Sequence, residues 1–175
     1  MAGTAGKGSS LLGKLLTGIG SVLIAVILIL CMIAFLPKVL GYGTYSVTSG
    51  SMEPEIPVGS LVLAAPTEAA SLESGDIISF YEGDTVVTHR VVSNDTSAQE
   101  IITRGDANNM DDFAPIPYSN VIGKVSIHIP YLGRVLQIML TDGGKPFTLV
   151  WLALGLLLTA LGRRLQPRTE DTDGR

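Results

Sequence analysis

Two long apolar runs lie near the two ends of the chain and enclose a more polar middle. The first, residues 15–37, contains no charged residue. At about 1.5 Å per helical residue it is long enough to cross a hydrocarbon core of about 30 Å. The second run, residues 146–162, is near the lower length limit for a spanning helix. The pattern predicts a transmembrane helix in each run, with a buried or surface-lying helix as the alternative for the second.

The middle of the chain carries its apolar side chains in short β-branched runs. Gly, Pro, Asp, Asn and Ser separate these runs, which is the pattern of strands joined by turns, and residues 82–84 form a hairpin-like connection. Residues 131–141 instead have apolar positions at helical spacing. The predicted fold class is mainly β, a small irregular β domain flanked by an N-terminal and a C-terminal transmembrane helix. The predicted strands are residues 45–48, 60–64, 76–81, 85–92, 100–103 and 121–129.

Composition narrows the class of protein. The 175 residues carry a formal net charge of −4, and the mean hydropathy of +0.41 is too high for an ordinary soluble domain of this size. An acidic chain without a Lys or Arg block argues against nucleic-acid binding, which depends on phosphate neutralisation. Cys31 is the only cysteine, which excludes an intrachain disulfide and any Cys-rich metal centre.

Basic residues flank the apolar runs and predict their orientation. They are Lys7 and Lys14 before the first run, and Arg163, Arg164 and Arg168 after the second. The positive-inside rule then places both termini in the cytoplasm and the middle outside, as in a multi-pass protein of the cell membrane. A cleaved signal peptide is the alternative for the first run, but its apolar region would be shorter, about 7 to 15 residues. The predicted segments are a cytoplasmic tail at 1–14, a transmembrane helix at 15–37, an extracytoplasmic β domain at 38–145, a second transmembrane helix at 146–163 and a cytoplasmic tail at 164–175.

A serine-rich turn, SVTSGSMEP at residues 46–54, follows the first predicted strand. Gly50 lets the backbone bend sharply or approach a substrate directly before Ser51. A serine attacks only when a base accepts its proton. Taken alone, the segment is also an ordinary turn, because Ser, Gly and Pro cluster in turns.

The chain contains two histidines, both in predicted strands. Strand alternation places His89 on the same face as Val87 and Val91, in apolar surroundings. It is either a core histidine bonded to a backbone carbonyl or a neutral imidazole that acts as a general base. His128 alternates away from its apolar neighbours and is interpreted as a surface or interfacial residue.

A loop with three carboxylates, residues 103–112, follows the strand at 100–103. Its Asp and Asn oxygens suit a solvated turn or a hard cation, although the spacing of an EF-hand is missing. Alternatively, one carboxylate orients a histidine, as in a Ser-His-Asp arrangement. The chain has no short-range pair of metal-ligating residues, so metal binding by the two histidines and the aspartates is a minor alternative. No metal or other cofactor is predicted.

Six segments in this order, between two membrane anchors, resemble the signal peptidase I family. The resemblance is to the archaeal and endoplasmic-reticulum-type branch, which some Gram-positive bacteria also carry. One departure is GDANN where the family usually has GDNN. The segments are SGSMEP at 49–54, GSLV at 59–62, GDIISF at 75–80, THRV at 88–91, RGDANN with Asp111 and Asp112 at 104–112, and IGK with IPYLG at 122–133.

The resemblance implies a serine endopeptidase that removes signal peptides from exported precursors. It implies Ser51 as nucleophile, His89 as general base, and Asp112 as the orienting carboxylate, with Asp106 as competitor or helper. It also implies an oxyanion hole formed by the Ser51 backbone N–H and the Ser49 hydroxyl.

Signal-peptide-bearing precursors and membrane lipid are the partners that the resemblance implies, and the oligomeric state stays open. Cleavage after small residues, at Ala-x-Ala sites, would need shallow pockets, for which we expect the side chains of Val47, Val62 and Val87. Two alternatives remain: a catalytically silent membrane-anchored β domain that binds a partner, and a self-cleaving Ser-Lys protease, which would use Lys124.

Overall fold

The computed structural model of the chain describes residues 5–166, and these divide into two compact units. One unit contains residues 5–32 and 139–166 and is helical. The other unit, Ile33–Ile138, contains the sheet. The outer parts of the two predicted tails, residues 1–4 and 167–175, lie outside the described residues.

Two helices correspond to the apolar runs. Helix α1 spans Ala5–Val39 and helix α3 spans Gly144–Leu165, and each is long and apolar enough to cross a membrane. Both extend beyond the runs read from the sequence, because a helix continues through flanking residues that lack an apolar side chain. Membrane crossing itself stays a prediction from length and composition.

Small residues let α1 and α3 pack closely within the helical unit. A Cβ atom added at Gly20 would lie 2.5 Å from the carbonyl oxygen of Gly155, so only glycine fits this crossing. Near the end of α3, the Gln166 side-chain amide donates to the Thr17 hydroxyl at 2.9 Å. Glycine contacts and interhelical hydrogen bonds of this kind typify helix association in lipid.

The second unit is an antiparallel sheet of seven strands in the order β1-β2-β7-β3-β4-β5-β6, and it confirms the prediction of a sheet-rich domain. Helix α2, Leu132–Leu140, confirms the helix predicted at 131–141. The strands are β1 Gly43–Ser46, β2 Leu61–Ala65, β3 Ile77–Glu82, β4 Thr85–Asp95, β5 Glu100–Arg104, β6 Ile116–Pro117 and β7 Val121–Ile129.

Strand β6 was not predicted, since two residues carry no periodicity. Pro117 lacks a backbone donor, which is consistent with its place in an edge strand. Strand β4 also continues further than its apolar pattern. Its polar end is held by Asn94, which donates to the carbonyl oxygens of Ala69 and Leu72 at 2.9 and 2.8 Å. Asn94 also accepts a hydrogen bond from the Tyr118 hydroxyl at 2.6 Å.

Two apolar clusters form the core of the sheet unit. The smaller cluster contains Met52, Ile56 and Val62 and lies beneath the loop between β1 and β2. The larger one joins β3, β4 and β5 to the segment before β3. Its buried members are Ala69, Leu72, Ile78, Phe80, Val91, Ile101 and Ile116.

Candidate active site

Ser51 lies in the loop between β1 and β2, in a turn anchored by buried apolar side chains. Met52 is 1% exposed and Ile56 is fully buried. The Ile56 N–H donates to the Met52 carbonyl oxygen at 2.8 Å and closes the turn. The Ser51 hydroxyl is 3.5 Å from that of Ser49. The turn therefore fixes the Ser51 backbone against the core while its side chain is only half-buried.

His89 lies on β4 and points to the inner face of the sheet, as alternation predicts. The residue is 8% exposed, and its ring contacts Phe80 edge to face with 6.3 Å between centroids. Its Nδ1 atom is 2.6 Å from Oδ2 of Asp112. An ionised carboxylate only accepts hydrogen bonds, so in the neutral ring Nδ1 carries the proton and Nε2 presents its lone pair.

Asp112 lies in the loop that follows β5, and Thr103 of β5 holds it at two points. The Asp112 N–H donates to the Thr103 carbonyl oxygen at 2.8 Å. The Thr103 hydroxyl donates to Asp112 Oδ2 at 2.6 Å. The same oxygen thus accepts hydrogen bonds from His89 and from Thr103.

Asp106, the other candidate carboxylate, is paired with Arg90. The guanidinium donates two hydrogen bonds to the two carboxylate oxygens, at 2.8 and 2.7 Å. It also donates to the Gly75 carbonyl oxygen at 2.8 Å. The Asp106 hydrogen bonds raise the pKa of Arg90 above its ordinary value, with a further contribution from the Glu55 carboxylate, and outweigh the opposing effect of partial burial. The structure therefore brings Asp112, and not Asp106, to the imidazole of His89.

The Ser51 turn and the His89 ring meet at Gly105. A Cβ atom added there would be 2.6 Å from the Ser51 carbonyl oxygen and 3.0 Å from His89 Nε2. Both atoms thus lie within 3.0 Å of one point. The Ala107 N–H donates to the same Ser51 oxygen at 2.9 Å and ties the turn to the loop after β5. Ser51, His89 and Asp112 are therefore gathered in one region of the sheet unit.

A cavity of about 90 Å³ lies beside Ser51, between the segment from β1 to Ser51 and the first half of β4. Two of the three expected pocket residues, Val47 and Val87, line it. The third expected residue, Val62, does not line this cavity: its side chain is fully buried and packs against Met52 and Ile56.

Lys124, the base that a Ser-Lys protease would need, pairs with Asp76. Its Nζ atom is 2.5 Å from Asp76 Oδ1. Burial raises the pKa of Asp76, but the Lys124 ammonium and the Glu73 backbone N–H outweigh it and hold this pKa below its ordinary value. Lys124 is thus occupied by a carboxylate neighbour.

His128, predicted to be a surface or interfacial residue, is half-buried on β7 and lies in register with Val62 of β2. Within residues 5–166, no three or more His, Cys, Asp and Glu side chains are grouped so that they could hold a metal ion. The three carboxylates of the loop after β5 instead pair with separate partners, which are Arg90 for Asp106, Arg104 for Asp111 and His89 for Asp112.

Sequence reasoning missed three residues that shape this site: Arg90, Thr103 and Gly105. Alternation gives part of the signal, since Arg90 points away from His89 while Thr103 points inward with Ile101. The partner of each residue depends on the pairing of β4 with β5, which the sequence alone does not give.

Comparison with protein-family models finds a match to this chain. Residues 21–104 match the family described as signal peptidase, peptidase S26. The matched region contains Ser51 and His89 and ends before the loop that carries Asp106 and Asp112.

Curated relatives are similar to about half of the chain. Signal peptidase I W of Bacillus subtilis (strain 168) is 43% identical over 89 residues, which cover 49% of this chain and 47% of that protein. The signal peptidase complex catalytic subunit SEC11C of Canis lupus familiaris is 31% identical over 105 residues, which cover 53% of this chain and 55% of that protein. The same subunit of Homo sapiens gives the same values. The chain thus spans about half the length of the curated relatives that it matches.

Proposed function

We propose that this chain, whose residues 21–104 match the signal peptidase, peptidase S26, family, is a membrane-bound serine endopeptidase. Its substrates are exported precursor proteins, from which it removes the signal peptide after small residues at Ala-x-Ala sites. The observation that carries the proposal is the pair formed by His89 Nδ1 and Asp112 Oδ2, 2.6 Å apart, beside the Ser51 turn.

The reaction follows from the roles that these groups can take. The Ser51 hydroxyl attacks the scissile carbonyl carbon, and its proton passes to Nε2 of His89. The Asp112 carboxylate stabilises the imidazolium that forms. His89 then gives the proton to the leaving amine as the peptide bond breaks, and a water molecule hydrolyses the acyl-enzyme by the same route. Asp106 supports the loop through its two hydrogen bonds with Arg90.

The oxyanion of the tetrahedral intermediate needs donors next to Ser51. The Ser51 backbone N–H and the Ser49 hydroxyl fill this role in the proposal, because the two hydroxyls are 3.5 Å apart. Loss of one oxyanion donor typically costs about 3 to 4 kcal/mol of barrier. The Ser49→Ala variant is therefore slow but not inactive.

Specificity for small side chains rests on the cavity next to Ser51. Val47 and Val87 are two of its walls, and its volume of about 90 Å³ accommodates small groups. A precursor segment that enters the cavity places its scissile bond at the Ser51 hydroxyl.

Anchoring both enzyme and precursor in one membrane raises their effective concentration. The proposal assigns α1 and α3 to the bilayer and the sheet unit to its outer side, with both termini cytoplasmic. The support is the length and apolar composition of the helices, together with the basic residues that flank them.

Incubation of the detergent-solubilised protein with a precursor that carries an Ala-x-Ala site tests the proposal. The wild-type chain is expected to release the mature protein, whereas Ser51→Ala and His89→Ala lose nearly all cleavage. Ser51→Ala is expected to keep the wild-type unfolding temperature, because its side chain is only half-buried. Asp112→Ala is expected to lose more activity than Asp106→Ala once the unfolding temperatures are matched. Cleavage by Ser51→Ala at the wild-type rate would instead favour a silent partner-binding domain, and a Lys124→Met variant without activity would favour Ser-Lys chemistry.

A further inference from the structure

Thr103 is a fully buried polar residue in the middle of an apolar surface. It lies on β5, two positions after Ile101, and neither residue is exposed to solvent. A buried hydroxyl is costly unless it finds a partner. The partner of the Thr103 hydroxyl is Asp112 Oδ2, at 2.6 Å.

The pairing of β4 with β5 explains why Thr103 reaches this carboxylate. Val91 of β4 is directly opposite Thr103, and His89 is two residues before Val91 on the same face. Both side chains therefore point to the inner side of the sheet. There the Asp112 Oδ2 atom accepts one hydrogen bond from Thr103 and one from His89 Nδ1, each at 2.6 Å.

We propose that Thr103 is a positioning residue of this active site, whose hydroxyl fixes the Asp112 carboxylate in the orientation that holds the His89 ring. This inference rests on the proposed function and adds a fourth side chain to the proposed group of Ser51, His89 and Asp112. Thr103 touches neither substrate nor the reacting atoms and acts through Asp112. Val has almost the same shape and an equal preference for strands. The hydroxyl is therefore what Thr adds at this buried position.

Without the Thr103 hydroxyl, the carboxylate of Asp112 has one side-chain donor fewer. The loop still holds the Asp112 backbone through its N–H bond to Thr103, at 2.8 Å. The carboxylate can then rotate about its own side-chain bonds, and the His89 ring loses its fixed direction towards Ser51. Small losses of alignment at a reacting group reduce the rate of the chemical step more than substrate binding.

The central experiment compares Thr103→Val with Thr103→Ser in the precursor-cleavage assay. We expect Thr103→Val to lower kcat roughly tenfold, as loss of a hydrogen bond to a charged group does, with KM unchanged. Thr103→Ser keeps the hydroxyl and is expected to stay close to wild type. Ser79→Ala is the matched control, because Ser79 is equally buried and donates to or accepts from Thr88 at 2.9 Å, away from Asp112. Wild-type kcat in Thr103→Val, or an equal loss in Ser79→Ala, would overturn the proposal.

A double-mutant cycle shows whether Thr103 acts through Asp112. In the Asp112→Ala background the hydroxyl has no carboxylate to orient, so adding Thr103→Val is expected to cause no further loss of kcat. If the same fold loss appears in both backgrounds, Thr103 acts through packing alone and the proposal is wrong.

Nuclear magnetic resonance of the histidine rings gives a readout that does not require cleavage. The chain has two histidines, so ¹⁵N-histidine labelling of a His128→Gln protein leaves only the signals of His89. We expect Thr103→Val to move the Nδ1 resonance and Ser79→Ala to leave it in place. Unchanged resonances in Thr103→Val would overturn the proposal. Absence of cleavage by the wild-type chain would instead end the proposed function, and the resonances would still decide whether Thr103 orients the His89–Asp112 pair.

Discussion

At the scale of single residues, the candidate site depends on how closely the backbone of the loop after β5 approaches the Ser51 turn and the His89 ring. Gly105 occupies the point where the Ser51 carbonyl oxygen and His89 Nε2 come together. In the same loop, Asp106 pairs with Arg90 and Asp112 pairs with His89. This loop therefore contacts both the Ser51 turn and the His89 ring, and it supplies the Asp112 carboxylate.

The contacts at Gly105 predict the effect of adding one methyl group. In Gly105→Ala the Cβ atom would be 2.6 Å from the Ser51 carbonyl oxygen and 3.0 Å from His89 Nε2, so the turn or the ring must move. Because displacements of about 1 Å can cost about 100-fold in rate, we expect kcat to fall by about 10- to 100-fold with a smaller change in KM. Steady-state kinetics on a precursor measures this.

Gly18→Ala is the control for that variant. A Cβ atom there meets no heavy atom within 4 Å among the described residues, so its activity should match the wild-type activity. Wild-type kcat in Gly105→Ala would contradict the close approach of the Ser51 turn and the His89 ring.

At the scale of elements, neighbouring strands bring the residues of the candidate site together, and an ion pair links the segment before β3 to β7. Strands β4 and β5 bring His89 and Thr103 to one face. The start of β3 is tied to β7 by the ion pair between Asp76 and Lys124. The Asp76 carboxylate also accepts a hydrogen bond from the Glu73 N–H at 3.1 Å. These contacts link the segment before β3 to β7.

The Asp76–Lys124 pair predicts how stability depends on pH. The folded-state pKa of Asp76 lies below its ordinary value of 3.8, because Lys124 and the Glu73 N–H outweigh the effect of burial. The carboxylate therefore stabilises the folded state above pH 3.8, and this contribution is lost as the pH falls through the lower folded-state pKa. Because Lys124 is about half exposed, we expect Asp76→Asn to lose at most about 1 kcal/mol at pH 7.

Denaturant unfolding in detergent at pH 7 and at acidic pH measures this difference. The gap in unfolding free energy between wild type and Asp76→Asn should shrink at acidic pH. Asp84→Asn, in the exposed turn between β3 and β4, serves as the control and should show little effect at either pH. A gap that stays constant down to acidic pH would contradict the role of the pair.

At the scale of the whole molecule, the chain combines a helical unit with a sheet unit. Glycines at the crossing of α1 and α3 join the two apolar helices into one hairpin-like pair. A pair of spanning helices returns the chain to the side from which it started. This arrangement predicts that the two flanking basic clusters lie on one side of the membrane and the sheet unit on the other.

Cysteine labelling tests this topology, since the chain has a single native cysteine. In a Cys31→Ser background, we expect Asp84→Cys to react with a membrane-impermeant maleimide on intact cells. Lys14→Cys should react only after the membrane is permeabilised. Labelling of Lys14→Cys on intact cells, with Asp84→Cys protected, would reverse the predicted orientation.

The sequence by itself determined the features that repeat along the chain. Uninterrupted apolar runs predicted α1 and α3, because a helix needs that length to cross a bilayer. Short β-branched runs bounded by turn residues predicted six of the strands. Alternation predicted the apolar surroundings of His89, because it reports which face a side chain occupies. The motif order pointed to Ser51, His89 and a nearby aspartate.

Only the tertiary structure decided which groups meet. Asp106 and Asp112 lie in one loop and cannot be distinguished by sequence. The pairing of the strands places Asp106 next to Arg90 and Asp112 next to His89. Burial of Val62 and the hydrogen bond from Thr103 to Asp112 likewise depend on neighbours far along the chain. The physical reason is that periodicity encodes the direction of a side chain, whereas its partner depends on how distant segments pack in three dimensions.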